Sequence, residues 1–486
     1  MLKPVTLPPP KFDFQRAARE EMLREGFQPD FPPPVLNEVR SFAAAPVQND
    51  AGRDLRALLW SSIDNSDSRD LDQVEWAERL PDGKIRVLVG IADVDAVVGR
   101  DSATDVQARA NATSVYTGGP VFPMLPERLS TDLTSLGPNV DRRGLVMEVV
   151  VDQDGAVVCA DVELAVIRNQ AQLNYDQVAA WLQSSAASAP PALRDQLLLQ
   201  QEASQRLKAF RKEQGALTLG GVESVPVIVN NTVQSFALLR DSPARDIIES
   251  FMIAANVAMA RFLRARNSLC LRRVVRTPKR WDRIQALAAP LGSKLPDAPD
   301  AKALDEFLAA RKQADPDDFP ELSLAVLKAL GPGEYVVEHP GAEHEGHFGL
   351  AVNDYTHSTA PNRRYADLVM QRLLKASLRQ GPGLYAEAEL SQLAAHCTER
   401  ESAARHVERF MKKVAAALML GQQVGGMFDA LVTGVSPKGT FARLLTVPAE
   451  GRVLRGERGL DLGEKIRVRL AGVDAARGFI DLEAVR

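Results

Sequence analysis

Residues 73 to 92 restrict the fold more than any other part of this 486-residue chain. Val74 and Trp76, then Ile85, Val87, Val89 and Ile91, place apolar side chains at every second position around the turn Pro81-Asp82-Gly83. A period of two broken by a tight turn describes two antiparallel strands joined directly. A second hairpin runs from Leu145 to Val151, turns through Asp152-Gln153-Asp154-Gly155 and returns over Ala156 to Val166; a third flanks Asn230-Asn231. Parallel neighbours need long crossovers, so directly joined strands exclude an all-parallel sheet. Helical periodicity appears between and after the hairpins, at about 174–186, 191–214, 243–267, 279–291, 302–314 and 320–330, then at 363–380, 385–395 and 398–420. The interleaving is irregular and no GxGxxG or GxxxxGK[ST] sequence is present. The pattern predicts an α+β domain rather than a βαβ repeat.

Two smaller units flank this mixed domain, which is expected over residues 51–422. Residues 1–50 hold helical patterns from Phe14 to Glu25 and from Val35 to Phe42, separated by PDFPPP and closed by the polar linker PVQNDAGRD. Short helices of this kind suit either a winged-helix or helix-turn-helix unit on nucleic acid or a plain packing arm. Over 423–486 the pattern returns to short strands with glycine turns, including Asp429 to Thr433, Thr440 to Leu445, Lys465 to Leu470 and Phe479 to Glu483. That spacing predicts a five-stranded OB barrel, for which single-stranded nucleic acid is the natural partner.

Composition narrows the function. With 59 Lys+Arg against 63 Asp+Glu, the net charge is −4, which excludes coating of nucleic acid by bulk positive charge; any such site must be local. Cys159, Cys270 and Cys397 are odd in number and far apart, so neither a disulfide framework nor a CxxC metal site is available and a reducing compartment is expected. The N-terminus MLKPVTLPPPKFDF has no apolar core, and the longest apolar run, Val414 to Leu420, is too short to span a bilayer. A cytoplasmic protein without a membrane partner is expected.

The densest acidic cluster is IDNSDSRDLD, with Asp64, Asp67, Asp70 and Asp72 just before the first hairpin. Carboxylates this close repel one another, which either raises a pKa or calls for a cation. Oxygen ligands suit Mg²⁺, which completes its shell with water and substrate phosphate. An EF-hand is excluded, because Ser66 and Ser68 occupy the acidic positions and Arg69 the glycine position. Read locally, the run is either a solvated acidic loop or a cation site.

The second constellation is YTHSTAPNRRYADLVMQRLL, residues 355–374. Pro361 suits the first turn of a helix and Thr359 its cap, which would put Arg363 and Arg364 in that turn. Cations there oppose the helix dipole. Either a bound phosphate resolves the conflict or Arg363 simply pairs with Asp367 one turn on. His339, His344, His347 and His357 crowd nineteen residues, but their spacing matches no zinc motif and zinc is not expected.

Taken together these stretches resemble the ribonuclease II and ribonuclease R (RNB) family of 3′ to 5′ exoribonucleases from about residue 51 onward. The matching pieces are the loop I-D-x5-D-L-D, VLVGIADVDAVV, TSVYTGGPVFPMLPERLSTDLTSL, IIESFMIAANVAMARFL, YTHSTAPNRRYADLVMQRLL and the helix around HVERF. The tail GMFDALVTGVSPKGTFARLL is similar to the S1 RNA-binding domain. The resemblance implies processive hydrolysis of single-stranded RNA from its 3′ end to 5′-monophosphates, by a monomer that uses Mg²⁺ or Mn²⁺, two ions during turnover. A catalytically weak relative that only holds RNA 3′ ends is the alternative.

Carried over by position, the resemblance implies Asp64, Asp70 and Asp72 as metal-binding and catalytic carboxylates. The family has a fourth aspartate where this chain has Gln73; an amide oxygen can still ligate, and Asp67 is a candidate to replace the charge. Arg363 matches the arginine beside the scissile phosphate, with Arg364 in support. Ala360 and Asn362 depart from the family's serine and aliphatic residue around Pro361. Tyr116 matches a stacking aromatic, or else fills core; Glu408 matches a glutamate near the terminal nucleotide, or else lies on a solvated face. In the tail, Lys438, Arg443, Arg467 and Arg469 are candidates to track phosphates, and Phe428 and Phe441 to stack or to pack. The short N-terminal region has no room for two cold-shock domains, so RNA capture is expected of the barrel and the helical arm.

Overall fold

The computed structural model describes residues 12–42, 52–184, 188–220, 223–229, 231–239, 241–316, 318–339, 341, 346–379, 384–437, 439–461 and 463–485. Asn230 of the third hairpin, His344 and Lys438 lie outside them.

The first hairpin forms as expected, over Gln73–Arg79 and Ile85–Ala92. It sits in a six-stranded sheet ordered Arg53–Asp54, Val157–Asn174, Trp60–Asp64, Gln73–Arg79, Ile85–Ala92 and Asp141–Val151. The last strand also pairs back onto Val157–Asn174, so the sheet curls closed. One strand serves both neighbours because it is long: its first part is antiparallel to Asp141–Val151, and residues 169–174 run parallel to Trp60–Asp64. The parallel part extends the strand beyond the Val166 expected from its period.

Helix Pro243–Ala265, buried along most of its length, and helix Pro191–Glu213 cover this sheet. Trp60, Ile63, Val87, Ile91, Phe251 and Leu374 belong to one continuous core. The α+β class is therefore as expected. A 34-residue helix, Glu387–Leu420, runs without interruption where two helices are expected. Its last turns deliver Ala416, Ala417 and Leu420 into the core of the C-terminal barrel. That barrel is closed and five-stranded, built from Met427–Ser436, Gly439–Leu444, Glu450–Arg455, Lys465–Asp474 and Phe479–Val485.

Near the N-terminus, helix Phe14–Arg24 packs Phe14, Ala18 and Met22 against Val407 and Met411 of the long helix. Helix Pro33–Ser41 buries Val35 and Val39 beside helix Ala103–Asn111. Among the described residues, no helix is long and apolar enough to cross a membrane.

Candidate active site

The acidic loop joins the end of strand Trp60–Asp64 to the start of the first hairpin, and backbone hydrogen bonds pin its second half. The Leu71 N–H donates to Ser135 Oγ at 3.1 Å and the Leu71 carbonyl accepts from Leu136 N–H at 2.9 Å. The Asp72 carbonyl accepts the Ala92 N–H at 2.9 Å. Asp72 is thereby held at the mouth of the hairpin with 2% of its surface exposed. Burial pushes its carboxyl up to about 7, against the lowering effects of Arg363 and the Asn362 N–H; the neighbouring Asp70 and Asp367 add to the rise. Asp64 is pushed up to about 6, first by burial and then by Asp70, against the hydrogen bond from Gln73. Asp67 is exposed.

The Pro361 turn meets this loop. The Asn362 N–H donates to Asp72 Oδ1 at 3.0 Å, and Arg363 Nε lies 3.6 Å from Asp72 Oδ2. The expected helix start needs correction: the helix is Tyr365–Leu378, and Pro361 lies in the turn before it. Arg364 is extended and bridges to Thr113, while the Arg363 carbonyl accepts from Ser114 N–H at 3.0 Å and the Ala112 carbonyl from Tyr365 N–H at 2.8 Å. These pairings with a distant segment hold residues 363 and 364 out of helical geometry. Thr359 does not cap the helix; instead the Asp367 carboxylate accepts from Ala360 N–H at 2.8 Å. Arg364, not Arg363, pairs with Asp367, through two bonds of 2.9 and 2.7 Å. Arg364 is thus taken up by this pairing, whereas 43% of the Arg363 side chain is exposed. Asn362 anchors the turn through its side chain, which accepts from Thr134 Oγ1 at 2.5 Å.

The same zipper brings Tyr116 to Arg363. Gly118, at φ +82, turns the chain two residues later, and a Cβ there would sit 2.3 Å from Pro226 Cγ. Tyr116 is 41% exposed rather than core, and its N–H donates to Glu408 Oε1 at 3.1 Å. Tyr116, Glu408, Arg363 and Arg364 line one cavity of about 220 Å³ with Tyr335, His357, Glu401 and Arg405. Of the last four, the sequence brings forward only His357, among the histidines where zinc is not expected; Tyr335, Glu401 and Arg405 are not site candidates there. Arg405 lies on the Glu408 face of the same helix, three residues earlier, which is a readable signal; Tyr335 and Glu401 give none. His357 bonds the Tyr335 hydroxyl at 2.7 Å, and burial pushes its imidazole well down.

Other candidates land elsewhere. Arg443 is paired with Glu321 of helix Phe319–Leu330, and Arg469 with Glu483. Phe428 packs partly buried against the barrel core. Gln73, expected as a ligand, donates its amide to Asp64 Oδ1 at 3.0 Å.

Asp64 Oδ2 is buried without a hydrogen-bond partner, and Asp64 and Asp72 are both pushed toward neutrality. A buried carboxylate oxygen with no protein partner, among acids that repel, is a donor a cation would satisfy, so Asp64, Asp70 and Asp72 fit a divalent cation by donor chemistry. They are spread, however. Among the described residues, no three of the loop's carboxylates bring oxygens within 4.8 Å of one another; Glu21, Glu25 and His406 form the one such group.

The sequence matches the RNB domain over residues 52–380 and the RNase II-type exonuclease C-terminal S1 domain over residues 427–485. The chain belongs to the RNB family. Ribonuclease R 1 of Lactococcus lactis subsp. lactis is 30% identical over 496 residues, covering 93% of this chain and 59% of that protein. Ribonuclease R of Thermotoga maritima is 29% identical, covering 94% of this chain and 68% of that protein. The chain thus spans about three fifths to two thirds of these relatives. The RNB fold here matches Mycoplasma genitalium RNase R, solved in complex with ribose-methylated single-stranded RNA, with a TM-score of 0.89 at 23% identity over 97% of this chain and 78% of that one. It matches yeast Ssd1, a pseudonuclease, with a TM-score of 0.72 at 18% identity over 91% and 55%. An RNB fold alone therefore does not decide activity; the residues of the site do.

Proposed function

We propose that this chain is a processive 3′ to 5′ exoribonuclease that hydrolyses single-stranded RNA to nucleoside 5′-monophosphates. The observation that carries this reading is the meeting of buried Asp72 with half-exposed Arg363, at 3.6 Å, on the edge of a cavity whose wall includes Tyr116. A guanidinium there neutralises a phosphate in its transition state, because it is a planar, permanently charged donor. Tyr116 offers a stacking face that accepts any base, which suits non-specific digestion. Glu408 fixes the backbone at Tyr116, and Arg364 fixes the Pro361 turn through Asp367. Divalent cations held by Asp64, Asp70 and Asp72, Mg²⁺ or Mn²⁺ and two in number, would activate water and stabilise the leaving oxygen.

Gln73 favours a second reading, an RNB-like protein that holds RNA 3′ ends with little cleavage, since the amide that replaces a family carboxylate is turned to Asp64. Incubating RNA labelled at its 5′ end with Mg²⁺, and in parallel with EDTA, separates the two. The enzyme releases mononucleotides and leaves a short labelled product only with metal. Stable bound RNA in both samples would favour the holder.

A further inference from the structure

Glu75 lies two residues beyond Gln73 on the same strand, with 0% of its surface exposed. Neither of its carboxylate oxygens has a hydrogen-bond partner. Across the strand pair it faces Ser61, whose hydroxyl is buried and unpartnered as well, three residues before Asp64 with its own orphan Oδ2. Three unsatisfied polar groups on adjoining strands mark a place that the folded chain alone does not complete. A purely structural residue in this position would be apolar, because burying a carboxyl without a hydrogen bond is costly and an aliphatic side chain fills such a space without penalty. Glu75 is near enough to Asp64 for the two to repel, and both charges bear on the phenol of Tyr175. That ring in turn carries the Arg245 guanidinium at 4.4 Å.

Charge count points the same way. The resemblance implies an aspartate where this chain has the uncharged Gln73, and Asp67, the other candidate to restore the charge, is exposed. Alternate residues of a strand share a face, so Glu75 is the nearest acid on the strand that begins with Gln73.

We propose that Glu75 is a fourth carboxylate of the cation site, which takes a divalent ion beside Asp64 and supplies the negative charge that Gln73 lacks. The assignment rests on the cation site of the proposed function. It is tested by metal binding to the full chain rather than by activity. The protein is stripped with EDTA, dialysed and titrated with Mn²⁺, with free Mn²⁺ read by its paramagnetic resonance signal. Glu75→Gln keeps the shape and removes the charge, and it should weaken the tightest Mn²⁺ binding by about tenfold or more. Gln73→Asp added to that variant should return affinity to within about threefold of the parent, whereas Gln73→Asp alone should gain less than about threefold, because the site already holds its full charge. A Glu75→Gln protein that binds Mn²⁺ as the parent does overturns the assignment. So does a gain of about tenfold or more from Gln73→Asp alone, a result that remains decisive if Glu75→Gln fails to fold. A parent chain that binds no Mn²⁺ overturns the cation site itself, and this assignment with it.

Discussion

The backbone N–H of Asn362 donates to Asp72 Oδ1 at 3.0 Å across 290 residues of sequence, and this bond joins the acidic loop to the turn that carries Arg363. Replacing Asp72 by Asn keeps an oxygen for that bond and removes the charge. Cleavage of single-stranded RNA by Asp72→Asn should fall by at least about 10²–10³-fold in a single-turnover assay, because the lost group acts on charge that develops during reaction. RNA affinity by filter binding should stay equal to that of the parent or rise, since on the proposed function one negative charge has left a site that would meet phosphate.

Arg363 and Arg364 are adjacent in sequence but sit in different surroundings, and their alanine variants should separate. Arg364 is forked onto Asp367, which is 0% exposed. Its removal leaves an uncompensated buried carboxylate, so Arg364→Ala should lose about 3–5 kcal/mol in chemical denaturation. Arg363 lies half in solvent, in a longer contact with Asp72; Arg363→Ala should cost less stability than Arg364→Ala and slow cleavage by about 10²–10³-fold.

Tyr116→Ala should weaken binding of a short 3′ oligonucleotide by about 1–3 kcal/mol, the usual contribution of one stacked base. Tyr116→Phe should bind as the parent does, because stacking uses the ring face rather than the hydroxyl. Equal loss in both variants, measured by fluorescence anisotropy, would assign the hydroxyl a role that stacking does not need.

What the sequence made legible follows the range of the forces involved. The hairpin Gln73–Arg79 and Ile85–Ala92 and the helix Pro191–Glu213 are written in local period, and they form within a residue or two of expectation. Helix Ala103–Asn111 is invisible to apolar periodicity, because the side chains it buries include Thr104, Asp105, Gln107 and Asn111. The start of helix Tyr365–Leu378 is misread because the Thr113 to Arg364 bridge, a contact across the domain, outweighs the local suitability of Pro361. In the site, the loop and the arginines stand out as residue types. The pairing of Arg364 with Asp367 rather than Arg363, the engagement of Arg443 by Glu321 and the burial of Glu75 are products of packing, and no spacing encodes them.

The raised carboxyls fix the direction of a pH effect. Asp64 and Asp72 have folded values of about 6 and about 7 against 3.8 for an ordinary aspartate, with burial the first cause in each. The folded chain therefore holds these protons more tightly than the unfolded chain. Their contribution to stability is fully present below about pH 4 and is lost as pH rises through about 6 and then about 7. A divalent cation needs both groups ionised and competes with those protons. The Mg²⁺ dissociation constant of the metal-free protein should fall as pH rises from about 5.5 to 7, by up to about tenfold per unit for each proton displaced, and level off above about 8. Thermal denaturation gives an independent readout. Added Mg²⁺ should raise the melting temperature little at about pH 5.5 and clearly at about pH 8, where it relieves the repulsion that ionisation has created. In Asp72→Asn the upper part of this dependence should vanish and the step near pH 6 from Asp64 should remain. Mg²⁺ stabilisation that is flat across the range would place the cation away from the acidic loop.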